Sequence, residues 1–95
     1  MPHFHKPHSS EWFETLLRAN PGQAQHTAQI IKLAGRNDIC SVCGDVESGE
    51  YQILKMEFAP GVLATIRLCD DCKGIREQGL GESFIPLRDE ADEKN

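Results

Sequence analysis

The chain has 95 residues, a formal net charge of −5 and an apolar fraction of 39%, which is the composition of one small globular domain. This composition excludes a wholly disordered chain, and no stretch approaches the roughly 18 apolar residues of a membrane-spanning helix. The first twenty residues contain no apolar signal-peptide core, so we expect a cytoplasmic protein without a membrane anchor. The acidic balance also lacks the basic surface that is typical of nucleic-acid binders.

Both ends of the chain are predicted to be flexible tails. Residues 1–8 contain two prolines and no apolar period. Three histidines in this segment, His3, His5 and His8, are candidates for a second metal site, although solvated side chains are the commoner outcome. Residues 88–95 are strongly acidic and predict a solubilising tail. An alternative role as a phosphate mimic would use its four carboxylates, those of Asp89, Glu90, Asp92 and Glu93.

Two helices are expected next in the chain. A helix is predicted over 10–19, because Ser9 can cap it and four apolar side chains follow with helical spacing. A second helix is predicted over 21–34, with Asn20 as its cap, a proline in its first turn and an apolar face formed by Ala24, Ala28, Ile31 and Ala34. The very short connection predicts an αα-hairpin, which we place at residues 9–36.

The second half of the chain has the residue pattern of β-strands. Apolar and polar residues alternate over 50–58 and over 62–68, and Pro60-Gly61 between them is turn chemistry, so a β-hairpin is predicted. A short helix is expected over 71–78, ended by Gly79. Residues 84–87 predict a further extended segment.

All four cysteines lie in two Cys-x-x-Cys pairs, Cys40/Cys43 and Cys69/Cys72, with 25 residues between the pairs. Two such pairs are typical of a zinc site, because four thiolates complete the tetrahedron that the ion prefers. A filled tetrahedron leaves no position for water or substrate, so the pattern predicts one structural Zn²⁺ rather than a catalytic ion. Redox pairs and disulfides are the alternatives. The first belong in a βαβ context, and the second are rare without an export signal.

The placement of the two pairs predicts a particular fold. Gly44 after the first pair permits the turn of a zinc knuckle, the β-hairpin fills the gap, and the second pair falls at the start of the last helix. Knuckle, hairpin and helix in this order form a treble clef, which we place at residues 37–87. The chain is therefore predicted to be a small α+β domain, a treble-clef zinc finger preceded by an αα-hairpin.

The motifs Cys40-Ser41-Val42-Cys43-Gly44 and Leu68-Cys69-Asp70-Asp71-Cys72 resemble the C4 zinc-binding domain at the N-terminus of the ClpX unfoldase. The likeness spans about residues 38–78. It implies a treble clef that dimerises and docks adaptors and substrates, with the four cysteines as metal ligands. The chain departs from that family in its longer gap between the pairs and in the preceding αα-hairpin.

Two further groups of residues are candidates for partner binding. Trp12 and Phe13 belong either to the core or to an exposed anchor for a protein partner or a second copy of the chain. Arg67, Lys73 and Arg76 form either a basic patch around the zinc helix or part of a mixed solvated face. A histidine on the second helix, His26, is expected at the surface and not at the metal.

These observations predict a non-enzymatic, zinc-stabilised module that binds a protein partner as an adaptor, regulator or inhibitor of a larger complex. A homodimer through the same apolar surface is compatible with this function. By analogy with other small acidic proteins, a bacterial or phage mobile element is the expected source. The alternative is a nucleic-acid-binding regulator that places Arg67, Lys73 and Arg76 on phosphates.

Overall fold

The computed structural model describes residues 3–87, so the predicted acidic tail lies outside the described residues. The predicted α+β class is confirmed, with two helices followed by a β-hairpin, a third helix and a short strand. None of these helices is long and apolar enough to cross a membrane. The elements are α1 (Ser10–Ala19), α2 (Pro21–Ala34), β1 (Gly49–Ala59), β2 (Val62–Leu68), α3 (Asp70–Leu80) and β3 (Phe84–Pro86).

The two N-terminal helices begin at the capping residues that the sequence predicts. The Ser9 hydroxyl accepts a hydrogen bond from the backbone N–H of Trp12 at 3.2 Å, and the Asn20 side chain accepts one from Gln23 at 3.2 Å. These bonds satisfy N–H groups that have no partner inside the helix. On α1 the buried side chains are Trp12 and Leu16, which lie one turn apart on the face toward the sheet.

The three strands form one antiparallel sheet in the order β2-β1-β3. The predicted hairpin supplies β1 and β2, and the predicted extended segment supplies β3. Because β3 is only three residues long and contains Pro86, it presents a short outer edge that lacks one N–H donor.

A large bulge interrupts the pairing of β1 with β2. Gln52 lies opposite Thr65, but the next pair joins Glu57 to Leu63, so four residues of β1 stand opposite one residue of β2. Lys55 inside this bulge has a φ of 64°, which is left-handed backbone for a residue other than glycine. The regular alternation expected for this strand is therefore wrong here, since the side chains before and after Lys55 are both exposed.

The helix α3 is longer than predicted at both ends. The glycine expected to end it, Gly79, lies inside the last turn, and the helix continues to Leu80. Gly81 then takes the left-handed conformation with a φ of 69°, and its N–H donates to the carbonyl of Arg76. The second glycine supplies the stop because only it adopts the backbone conformation that a C-terminal cap requires.

The core consists of two groups of buried side chains on either side of the half-buried Phe58. The larger group joins buried side chains of the sheet to three of the cysteines, and the smaller group lies on the two helices of the αα-hairpin. Their buried members are Cys40, Ile53, Ala64, Ile66, Leu68, Cys69 and Cys72 in the first, and Trp12, Leu16 and Ala24 in the second.

Residues 3–8, predicted to be a flexible tail, lie against the sheet. The backbone N–H of His3 donates to the carbonyl of Gly61 at 2.9 Å, and the backbone carbonyl of His3 accepts from the N–H of Leu63 at 2.7 Å. The segment therefore covers the outer edge of β2 where that strand begins. Further along, His8 is only 5% exposed. A segment with no apolar period becomes ordered because an open strand edge offers it backbone hydrogen bonds.

Candidate metal centre

The four cysteine sulfurs converge on one point between the knuckle and the start of α3. They all lie within 4.8 Å of one another, and the sulfurs of Cys43 and Cys69 are 3.5 Å apart. All four cysteines are free of disulfides. A tetrahedral zinc ion with Zn–S bonds of about 2.3 Å places its sulfurs about 3.8 Å apart. The four side chains therefore fit a single tetrahedrally coordinated metal ion.

The first pair forms a knuckle in which backbone N–H groups point at a sulfur. The N–H groups of Val42 and Cys43 approach the Cys40 sulfur at 3.4 and 3.5 Å. The turn continues through Gly44 with a φ of 86°, and a Cβ atom there would lie 2.9 Å from the Ile30 side chain. Both the backbone conformation and the close approach of α2 therefore require glycine at this position.

The second pair occupies the first turn of α3. Cys69 is the N-cap residue, and its sulfur accepts from the N–H of Cys72 at 3.4 Å. The free N–H groups and the positive end of the helix dipole stabilise negative charge on these sulfurs. The helix itself thus orients both ligands of the second pair.

The environment of the thiols differs between the cysteines. Burial raises the pKa of Cys43 and of Cys72, and the neighbouring cysteine sulfurs raise that of Cys72 further. Burial acts in the same direction on Cys40, but backbone N–H donors from Cys43, Cys69 and Val42 outweigh it and hold its pKa at about 7. Metal binding must displace protons from the thiols with raised pKa values, so metal affinity falls as the pH is lowered.

Three side chains of α2 donate hydrogen bonds to backbone carbonyls of the knuckle. The Thr27 hydroxyl, which is 0% exposed, donates to the carbonyl of Ser41 at 3.0 Å, and the Gln23 amide reaches the same carbonyl at 3.4 Å. His26 donates from Nε2 to the next carbonyl of the knuckle, that of Val42, at 2.7 Å. The αα-hairpin is therefore bonded directly to the backbone that carries the first cysteine pair.

His8 completes this support from the N-terminal segment. Its Nδ1 donates to the carbonyl of Asn37 at 2.7 Å, which leaves Nε2 to accept from the Ser41 hydroxyl at 2.7 Å. The same hydroxyl accepts from the backbone N–H of Arg67 at 3.1 Å. Although a paired serine and histidine can form a nucleophile and its base, this serine is 0% exposed and the pair serves to join three segments.

The sequence prediction missed this supporting network. On α2 the face predicted to be apolar consists mainly of alanines, whereas the buried residues of the helix are Ala24 and the polar Thr27. His8 and Ser41 are 33 residues apart, and no local period links them. Within the described residues the cysteines form the one close group of at least three metal-binding side chains, and the three N-terminal histidines do not form such a group.

The aromatic pair on α1 belongs to the core. Trp12 is 1% exposed and donates from Nε1 to the carbonyl of Thr65 at 2.9 Å, and Phe13 is half-buried beside it. The role of Trp12 as an exposed partner anchor is therefore wrong. An indole that bonds a strand carbonyl instead fixes α1 on the sheet.

The three basic residues of the predicted patch all have carboxylate partners. The pairs formed are Arg67 with Glu50 at 3.1 Å, Lys73 with Glu77 at 3.1 Å and Arg76 with Glu82 at 2.7 Å. Because each cation is already paired, this face offers little unbalanced positive charge to a nucleic acid.

No family model, curated protein or solved structure matches this chain. The resemblance to the ClpX-type domain therefore stays a prediction from the two cysteine motifs. The structure and the donor chemistry establish a small α+β fold with four cysteines placed to bind one metal ion.

Proposed function

We propose that this chain is a small zinc-stabilised module that binds a protein partner, as an adaptor, regulator or inhibitor of a larger complex. The observation that carries the proposal is the closed cluster of four sulfurs, all within 4.8 Å of one another. Four thiolates select Zn²⁺ among the common cellular ions and occupy every position of its tetrahedron. Such an ion holds the fold together and takes no substrate.

Two surface properties support binding to a protein. The described residues include nine large apolar side chains that are at least 38% exposed, of which three exceed 60%: Leu33, Ile75 and Leu80. The net charge of −5 becomes two units more negative when four thiolates bind one Zn²⁺. An acidic surface with exposed apolar groups favours a partner with basic and apolar groups.

Affinity purification of the tagged, zinc-loaded protein from its host lysate, with and without nuclease, tests this function. The expected result is a discrete protein that survives nuclease, that rebinds after purification, and that is released when the metal is removed. Recovery that collapses with nuclease would contradict the proposal and favour the nucleic-acid alternative. Trp12→Ala is unsuitable as the binding-deficient variant, because Trp12 is a core residue.

A further inference from the structure

A cavity of about 380 Å³ lies between α1, the sheet and the end of α3. Its inner wall is formed by apolar side chains that are at most 4% exposed, namely Trp12, Leu16, Ile53 and Ile66. This volume falls in the range of sites that hold a small ligand or a short piece of peptide. Because this wall is almost completely covered, the apolar surface left to a ligand belongs mainly to Met56 and the half-buried Phe58, and the polar residues Asn20 and Gln23 also line the cavity.

The bulge of β1 forms the mouth of this cavity. Met56 and Glu57 line it, and Lys55, which does not, holds the left-handed backbone that turns them away from the regular ladder. A non-glycine residue with positive φ is strained, and bulges re-aim side chains beside binding sites more often than elsewhere. Met56 is 41% exposed, and its unbranched side chain adapts to different apolar surfaces.

The charges at the cavity are unbalanced toward the negative. Glu82 and Arg76 line it as an ion pair that neutralises itself. Glu57 is exposed and has no ion-pair partner among residues 3–87. The mouth therefore carries one carboxylate in excess beside an apolar interior, which complements a ligand that joins an apolar group to a cation.

We propose that this cavity binds a segment of the partner protein in which a bulky apolar residue, Phe or Leu, is followed by Lys or Arg. The apolar side chain packs against Met56 and the half-buried Phe58, next to the buried Trp12, and the cation lies beside the Glu57 carboxylate. This inference rests on the proposed function, because it names the class of partner that the module recognises.

The single tryptophan of the chain makes the inference directly testable. Trp12 lines the cavity and its indole N–H is bonded to Thr65, so its NMR signal and its fluorescence respond to a ligand at this site. The probes are three blocked dipeptides at millimolar concentration: acetyl-Phe-Lys-amide, acetyl-Phe-Glu-amide and acetyl-Ala-Lys-amide. We expect the first to shift the indole signal and to bind about fivefold more tightly than the second, with no saturable shift from the third.

Glu57→Lys is the decisive variant, and Glu14→Lys is its matched control. Glu57 lines the cavity, whereas Glu14 is also exposed but lies on α1 and does not line it. The first substitution should reverse the preference between the Lys and Glu probes, and the second should leave that preference unchanged. Retention of the Lys preference in Glu57→Lys would overturn the inference.

Two other outcomes separate this inference from the proposed function. A captured partner that binds the protein without moving the Trp12 signal would support the proposed function and overturn the cavity assignment. A Trp12 signal that moves with protein concentration alone would assign the cavity to a second copy of the chain and also overturn it.

Discussion

The two cysteine pairs reach the same metal position but are held there by different means. The backbone between Cys40 and Cys43 is bonded by side chains from distant segments, namely Thr27 and Gln23 of α2 and His8 of the N-terminal segment. The second pair is oriented by the helix that it begins, and on that helix only Cys72 is buried. The first half of the site is thus built by tertiary contacts and the second half by local helix geometry.

The metal therefore contributes differently to the two halves of the site. The knuckle is anchored to the αα-hairpin and to β2 without the ion, since the Ser41 N–H donates to the carbonyl of Arg67 and the Ser41 hydroxyl accepts from the Arg67 N–H. α3 has far fewer ties to the rest of the molecule, and the metal connects its first turn to the knuckle. We therefore expect metal loss to release α3 more completely than the αα-hairpin.

Metal removal is the largest perturbation that tests this comparison. Structural zinc contributes on the order of 10 kcal/mol to the folding of such domains. We expect excess chelator to release α3, with loss of helical circular dichroism and of amide-exchange protection over 70–80, while the knuckle and the αα-hairpin keep more of their protection. An unchanged spectrum after confirmed metal loss would contradict the account, and refolding on addition of Zn²⁺ is the control.

Thr27→Val removes the buried bond to the knuckle and keeps the shape of the side chain. We expect a loss of about 1–3 kcal/mol in the free energy of unfolding, because the Ser41 carbonyl loses its best donor from α2. The matched control is Thr15→Val on α1, whose hydroxyl bonds only its own helix at Glu11. Chemical denaturation in saturating Zn²⁺ measures both, and equal effects would show that Thr27 does not support the knuckle.

Acidification should weaken the His8 contact. Burial lowers the pKa of His8 below its usual value of about 6.5, and Arg67 lowers it as well, while the Asn37 carbonyl and Glu50 act in the opposite direction. Below pH 6.5 the unfolded chain protonates His8 more readily than the folded chain does. The contribution of His8 to the free energy of unfolding is therefore complete above this pH and is lost as the pH falls through the lower pKa of the folded state.

His8→Gln provides the comparison for this pH effect. In saturating Zn²⁺, the free energy of unfolding should fall between pH 7 and the acid range more steeply in the native protein than in this variant. The remaining slope of the variant reports proton competition at the thiols. Parallel slopes would contradict a neutral, buried His8.

The smallest expected effect concerns the far end of α3. Arg76 and Glu82 form a partly buried ion pair at 2.7 Å, with side-chain exposures of 23% and 14%. A double-mutant cycle with Arg76→Gln and Glu82→Gln should give a coupling of about 1 kcal/mol in the zinc-bound protein. A coupling energy of zero would show that this ion pair does not stabilise the end of α3.

The elements and the metal ligands were predictable because their signals are local. The caps Ser9 and Asn20, the turn at Pro60-Gly61 and the two Cys-x-x-Cys spacings each depend on residues a few positions apart. The supporting side chains were not predictable. Thr27 is polar on a helix face expected to be apolar, and His8 is buried only because the fold brings it to Ser41. Contacts of this kind exist only after the chain has folded.

The coordination of the bound metal decides whether the site is closed. X-ray absorption at the zinc edge, on protein purified with its native metal content, measures the number and type of ligand atoms. The account predicts one zinc per chain with four sulfur neighbours at about 2.3 Å. A shell with fewer sulfurs and one or more oxygen or nitrogen atoms would contradict a closed, structural site and would open a position for catalysis.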